Sequence, residues 1–380
     1  LDPRITLAAL IVVVSFLPAL LLAWLALFPV RRWAARLGLL DQPGARKVHT
    51  VPTPLGGGLG IWFGIVGTFA VGTAAVAIAP RTAWFDARLP AAVTSSYDAI
   101  WSRAGELWGV LAAATVLTLL GFWDDRRGLP AWLRLVVQFA VAGGVVWGLG
   151  YELTAFIPIP WLTKLLSVVW IVAVINSFNM LDNMDGLSGG VAAIVAGMLA
   201  AVMLTTPDPA SDQPQMLVAA LLLVVAGALV GFLFHNRPPA KIFMGDAGSY
   251  LVGFLVAVST LLATYAGYRE VERPHAVFAP LCAMAVPLYD MVTVLWIRIR
   301  EGRNPLVGDK SHLSHRLVDL GLSKGQAVLT IYLMTATCGL AALLLGQVVG
   351  VAAWLVGGIV ACMLILIAIL ESTGWQKDER

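Results

Sequence analysis

The chain has 380 residues, of which 59% are hydrophobic and only 12% are charged. A soluble domain carries roughly 25% charged residues, and single cores stop growing near about 250–300 residues. A soluble globular enzyme, a disordered protein and a disulfide-stapled domain are therefore excluded, and the mean hydropathy of +0.85 points to an all-α polytopic membrane protein. The net charge of +3 comes with no long basic run, so nucleic acid is not an expected partner.

Apolar windows recur along the chain. They predict eleven spans, at 5–28, 57–79, 107–123, 133–150, 162–178, 187–205, 215–234, 249–266, 276–297, 327–345 and 348–370. Each is expected to be helical, because a span must satisfy its own backbone hydrogen bonds. The first is too long for the apolar core of a signal peptide, and Arg31, Arg32 and Arg36 follow it. It reads as an uncleaved span with its N-terminus outside, which places the C-terminus in the cytoplasm. That orientation puts 18 of the 25 basic residues on the cytoplasmic side. The external segment 80–106 holds Trp84, Phe85, Tyr97 and Trp101, expected as an interfacial belt or a short surface helix. Cys282, Cys338 and Cys362 lie in apolar runs without CxxC spacing and read as small buried hydrophobes. Residues 1–380 form one integral membrane domain, with polar loops near 31–56, 124–134, 179–187, 235–248 and 298–326.

Those loops share one face, and they carry the chemistry. Asp124 and Asp125, in GFWDDRRGLP, are either a solvated pair beside Arg126 and Arg127 or a base near a metal. In NSFNMLDNMDGLSGG, Asn179, Asp182 and Asp185 recur every third residue, as a polar stripe on a helix or as a hydrated turn. Their oxygens are the hard donors that Mg²⁺ prefers, and so many acceptors repel one another unless a cation is present. Asp246, between Gly245 and Gly248, is either a helix cap or a further ligand, and Phe243 is a base-stacking residue or core. The loop from Arg298 to Lys324 holds Arg303, Lys310, His312, His315 and Arg316, which suit phosphate better than zinc. Arg46, Lys47 and His49, in DQPGARKVHTVPTPLGGGLG, face phosphate or simply set orientation. These features describe a membrane enzyme that handles a phosphorylated substrate with Mg²⁺.

DDRRG, NxxDxxDG, PAKIFMGD and the His loop, in that order, resemble the polyprenyl-phosphate N-acetylhexosamine-1-phosphate transferases. The likeness runs from Asp41 to about Gln326 and is strongest to the WecA and TagO branch, which starts envelope polysaccharides. It implies attack of undecaprenyl phosphate on a UDP-N-acetylhexosamine such as UDP-GlcNAc, with release of UMP, at the cytoplasmic face of the bacterial inner membrane. It implies Mg²⁺, with Mn²⁺ as a substitute, held by Asp246 and Asn179. It also implies catalytic roles for Asp124, Asp125, Asp185, His312 and His315. Substrate-binding positions carried over are Lys47, Arg134, Asp182, Gly186, Leu187, Asn236, Phe243 and Arg316. The family suggests a homodimer. Two departures stand out: Ser314 where the branch has a further His, and Gly128 where the family often has Lys. A different donor, such as UDP-MurNAc-pentapeptide, is the in-family alternative. A secondary transporter is the alternative of another class, with Asp290 as its one carboxylate well within a span.

Overall fold

The computed structural model describes residues 3–42, 52–78, 82, 97–153, 157–208, 213–263 and 273–375. Thirteen α-helices, one 3-10 turn and a two-stranded ribbon are present among them. Helix α1 covers Pro3–Trp33, followed by β1 (Leu40–Asp41) and β2 (Thr53–Pro54). Then come α2 (Gly57–Ile78), α3 (Tyr97–Arg127), α4 (Ala131–Gly148), α5 (Pro160–Leu181) and α6 (Leu187–Thr205). Helices α7 (Met216–Asn236) and α8 (Gly245–Leu262) precede the 3-10 turn Pro274–Phe278. The chain closes with α9 (Ala279–Ala283), α10 (Ala285–Arg300), α11 (Leu313–Asp319), α12 (Lys324–Leu345) and α13 (Val351–Trp375).

Ten helices are long and apolar enough to cross a membrane, or eleven if the bent pair Pro274–Ala283 and Ala285–Arg300 is one span. The expected span at 276–297 is thus a broken one, bent by 66°. The cause is Pro287, which has no N–H to offer the Ala283 carbonyl one turn earlier. In the external segment 80–106, Trp84 and Phe85 lie outside the described residues, and Tyr97 and Trp101 belong to the first turns of α3, one continuous 31-residue helix. Local signals elsewhere agree with the ends. Pro160 starts α5 where its missing N–H costs nothing. Ser323 and Gln326 close a capping box on α12.

The bundle is built around α8, 89% of which is buried against α2, α3, α5 and α7. Helix α1 packs on α2 and α7, while α6 packs on α7 and α12. Two glycines let α8 start deep in this packing. A Cβ on Gly58 of α2 would fall 2.2 Å from the Gly248 nitrogen, and one on Gly121 of α3 would fall 2.3 Å from the Asp246 carbonyl carbon. Strands β1 and β2 pair antiparallel, Leu40 with Pro54 and Asp41 with Thr53. The Pro54 carbonyl accepts from the Phe243 N–H at 2.9 Å, and the Phe243 carbonyl accepts from Gly57 at 2.9 Å. The ribbon therefore ties the strap between α7 and α8 to the start of α2.

Candidate active site

The last turn of α3 supplies Asp124 and Asp125, and the two carboxylates point different ways. Asp125 accepts from the N–H groups of Asp246 at 2.8 Å and Ala247 at 3.2 Å. It therefore caps α8 from a neighbouring helix and satisfies two of that helix's open donors. Asp124 is buried and saturated: it accepts from Leu129 N–H at 2.6 Å, Arg134 Nη1 at 2.9 Å and Tyr250 OH at 3.1 Å. The same Arg134 nitrogen is 3.9 Å from Asp246 Oδ2. One guanidinium thus joins the first acidic motif to the third.

The second motif arrives from α5. Asn179 Nδ2 donates to Asp246 Oδ1 at 2.5 Å and to Ser249 Oγ at 3.0 Å. Helix α5 ends at Leu181, Asp182 follows as its cap, and Gly186 adopts φ 76° to start α6. Asn179 is therefore delivered by the last turn of α5 and Asp182 and Asp185 by the turn that follows, rather than all three by one helical stripe. Burial, with the nearby Asp125 and Asp185 carboxylates adding to it, pushes Asp182 up to about 7. Asp185 Oδ2 accepts from the Ala240 N–H at 2.9 Å. Asn236 accepts from Gly186 N–H at 2.8 Å and donates to the Ile242 carbonyl at 2.8 Å. Tyr332 OH donates to the Gly186 carbonyl at 2.5 Å. Asp185 and Asn236 thus fasten the strap 237–244 to the α5–α6 turn.

A cavity of ≈ 490 Å³ opens among these elements. Asp125, Asn179, Asp182, Asp185 and Asp246 line its acidic side. Asn236, Phe243 and His315 are also on its wall. Other expected residues stand behind it. Asp124 and Arg134 support Asp246 from outside the lining, Gly186 carries backbone bonds, and Leu187 is core. Lys47, with Arg46 and His49, lies outside the described residues.

The His loop divides in the same manner. His312 caps the start of α11, and its Nδ1–H donates to Asp290 Oδ2 at 2.8 Å. Asp290 Oδ1 accepts from the Leu313 N–H at 2.6 Å. The intramembrane carboxylate therefore fixes the ring of His312 and, with it, the start of α11. His315 reaches the cavity, and burial together with His312 holds it below the ordinary histidine value. Arg316 turns away into the bundle. It donates to the Ser311 carbonyl at 2.5 Å and to Thr293 Oγ1 at 3.0 Å, and its Nε is 3.1 Å from Glu371. That buried pairing anchors α11 to α13 and puts Arg316 out of reach of a substrate in the cavity. Ser314 Oγ donates to Asn183 Oδ1 at 2.5 Å.

Three charged lining residues were not among the expected site residues: Asp41, Asp309 and Lys324. Lys324 is exposed at the first turn of α12, and in the sequence it is one more basic residue of a loop that orientation alone accounts for. Asp41 opens the DQPG stretch, and its strand pairing with Thr53 brings it to the wall.

Residues 107–264 match the family model described as glycosyl transferase family 4. A Bacillus subtilis protein named as a probable undecaprenyl-phosphate N-acetylglucosaminyl 1-phosphate transferase is 30% identical, over 97% of this chain and 94% of its own length. The chain belongs to glycosyl transferase family 4. A decaprenyl-phosphate N-acetylglucosaminephosphotransferase of Mycobacterium tuberculosis is 33% identical over 83% of this family-4 chain and 78% of its own. An undecaprenyl-phosphate alpha-N-acetylglucosaminyl 1-phosphate transferase of Escherichia coli is 30% identical over 82% and 78% respectively. The matched segment of this family-4 chain holds all five carboxylates Asp124, Asp125, Asp182, Asp185 and Asp246. Its His loop and Lys324 lie beyond that segment and reach the cavity only through the fold.

Proposed function

We propose that this multi-pass membrane protein transfers GlcNAc-1-phosphate from UDP-GlcNAc to undecaprenyl phosphate, as the first membrane step of an envelope polysaccharide. The supporting observation is the cavity where Asp125, Asp182, Asp246 and Asn179 face Lys324 and His315, in a chain whose relatives carry that transferase name. An oxygen of the acceptor phosphate attacks the β-phosphorus of the UDP-sugar. The bond from that phosphorus to the bridging oxygen breaks, and UMP leaves with the electron pair.

The donor set suits Mg²⁺, or Mn²⁺ in its place. It is all oxygen, and Mg²⁺ takes one or two carboxylates together with substrate phosphates rather than a protein-only cage. Asp182 is raised first by its burial and then by the Asp125 and Asp185 carboxylates, and a cation would offset that second part. Asp246 and the Oδ1 of Asn179 would hold the ion. When bound, it supplies charge neutralisation on the diphosphate. The chain's own residues do the rest. Asp125 and Asn179 hold Asp246 in place, Lys324 and His315 face the anionic donor, and the partly exposed ring of Phe243 is placed to stack on a base. The basic bias of 18 in 25 supports a cytoplasmic site in the inner membrane.

The test supplies purified protein with UDP-GlcNAc, undecaprenyl phosphate and Mg²⁺ and measures UMP release. Activity should vanish with chelator and return with Mg²⁺, and Asp246→Ala should lose at least about a hundredfold. No UMP release from the native protein, or full activity in Asp246→Ala, would sink the assignment. A panel of UDP-sugars then decides the donor.

A further inference from the structure

A second cavity, of ≈ 530 Å³, lies on the other flank of the strap 237–244. Its described lining includes Phe28, Arg31 and Arg32 from α1, Pro54 from β2, and Ala240 and Lys241 from the strap. It shares no described lining residue with the acidic cavity. Three cations face this space, and no carboxylate does among the described residues.

Arg31 is built in rather than left on the surface. The buried His235 has its Nε2 3.1 Å from the Trp24 carbonyl, which can only accept. The proton is therefore on Nε2, and Nδ1 is left as an acceptor for Arg31 Nη1 at 3.2 Å. Phe28 packs edge-on against the same imidazole, with ring centroids 4.9 Å apart. A guanidinium held by a neutral acceptor keeps its full charge and its remaining donors for a ligand. Arg32 and Lys241 are exposed and make no ion pair with any described residue.

We infer that this cavity binds the phosphate of an anionic membrane lipid. The choice of a lipid over a free anion rests on the cavity's position. It sits at the end of the first span, Ala8–Trp33, and Phe28, which lines it, is also 48% exposed on the apolar flank of that span. A headgroup on Arg31, Arg32 and Lys241 leaves its acyl chains against Phe28 and α1. Basic pockets at the end of a span take such headgroups by charge and fork-shaped hydrogen bonding. The site is mechanically joined to the acidic cavity. Ala240, on its wall, donates to Asp185, and Lys241 N–H donates to the His235 carbonyl at 2.9 Å. An occupant therefore bears on the strap that also carries Phe243.

The binding claim is independent of the proposed transferase activity and is tested without substrate. Protein in a neutral detergent is titrated with short-chain phosphatidylglycerol, phosphatidylcholine or inorganic phosphate, and bound molecules are counted by native mass spectrometry. Saturable phosphatidylglycerol binding is expected, with phosphatidylcholine and inorganic phosphate at least tenfold weaker. Arg32→Gln with Lys241→Gln removes no described contact and should weaken phosphatidylglycerol by about fivefold per charge removed. Arg31→Gln should weaken it at least as much. Unchanged affinity in the Arg32→Gln, Lys241→Gln protein would overturn the site, and so would equal affinity for phosphatidylcholine. Inorganic phosphate binding as tightly as the lipid would overturn the lipid assignment.

Discussion

At the scale of single residues, the site is a set of carboxylates held by different kinds of partner. Asp125 is spent on the backbone of α8, Asp124 on Arg134 and Tyr250, and Asp185 on the strap. Asp246 is the carboxylate that those bonds position, with Asn179 at its side. Asp290 does for His312 what Asp125 does for α8. Its replacement by Asn keeps the shape but leaves one neutral acceptor oxygen for the two N–H donors of His312 and Leu313. Asp290→Asn should lower UMP release by about 10–100-fold. His312→Ala and the double variant should fall to a common level if Asp290 acts through His312, as a double-mutant cycle on the initial rate would show. Additive losses would separate the two residues.

Helices and loops set the next level. The start of α8 is gripped by α2 and α3 at positions with no room for a side chain. Gly121→Ala would place a methyl 2.3 Å from the Asp246 carbonyl carbon, so α3 and α8 must part. A loss of about 1–3 kcal/mol, read from the detergent-solubilised melting curve, is expected from such overpacking. UMP release should fall with it, since Asp125 rides on α3. The loop 301–312 is locked differently. Asp309 takes Arg298 at 3.0 Å, Arg303 and the Ser311 N–H. Partial burial pushes its carboxyl up, but the bonds from Arg298 and Ser311 prevail and hold it well below the usual carboxylate range. A depressed carboxyl contributes stability above its unfolded value of about 4 and loses it as pH falls through the folded value. Asp309→Asn leaves the buried Arg298 without its carboxylate and should cost about 3–5 kcal/mol at neutral pH. The gap in melting temperature between the two proteins should stay constant from pH 7 to about 5 and narrow only below about 4. A gap that already closes by pH 6 would remove Asp309 as the lock.

Across the whole molecule, the decisive property is sidedness. All five acidic motif residues stand at or next to span ends, and the basic bias predicts that these ends are cytoplasmic. A green fluorescent protein inserted after Gly302 should fluoresce in cells, and alkaline phosphatase inserted within 83–96 should be active outside the membrane. The opposite pair of results would invert the chain and place the acidic cavity on the outer face.

Hydropathy is local and sums along a window, so the spans, their helical nature and the acidic motifs were legible in the 380 residues alone. The same additivity located the ninth span but could not see that Pro287 bends it by 66°. Partner choice is not local. Asp124 and Tyr250 are 126 positions apart, and Asn179 and Asp246 are 67 apart. Which of two adjacent carboxylates faces the cavity depends on how α3 is rotated about its axis, and close packing against α8 at Gly121 sets that rotation. Arg316 illustrates the limit from the other side. Its charge and motif suit a phosphate, but Glu371, 55 residues later, claims it inside the bundle. Composition placed the chemistry on one face of a membrane protein. Tertiary packing decided which side chains reach the acidic cavity, because a buried charge goes to the partner that the neighbouring helices bring within hydrogen-bond distance.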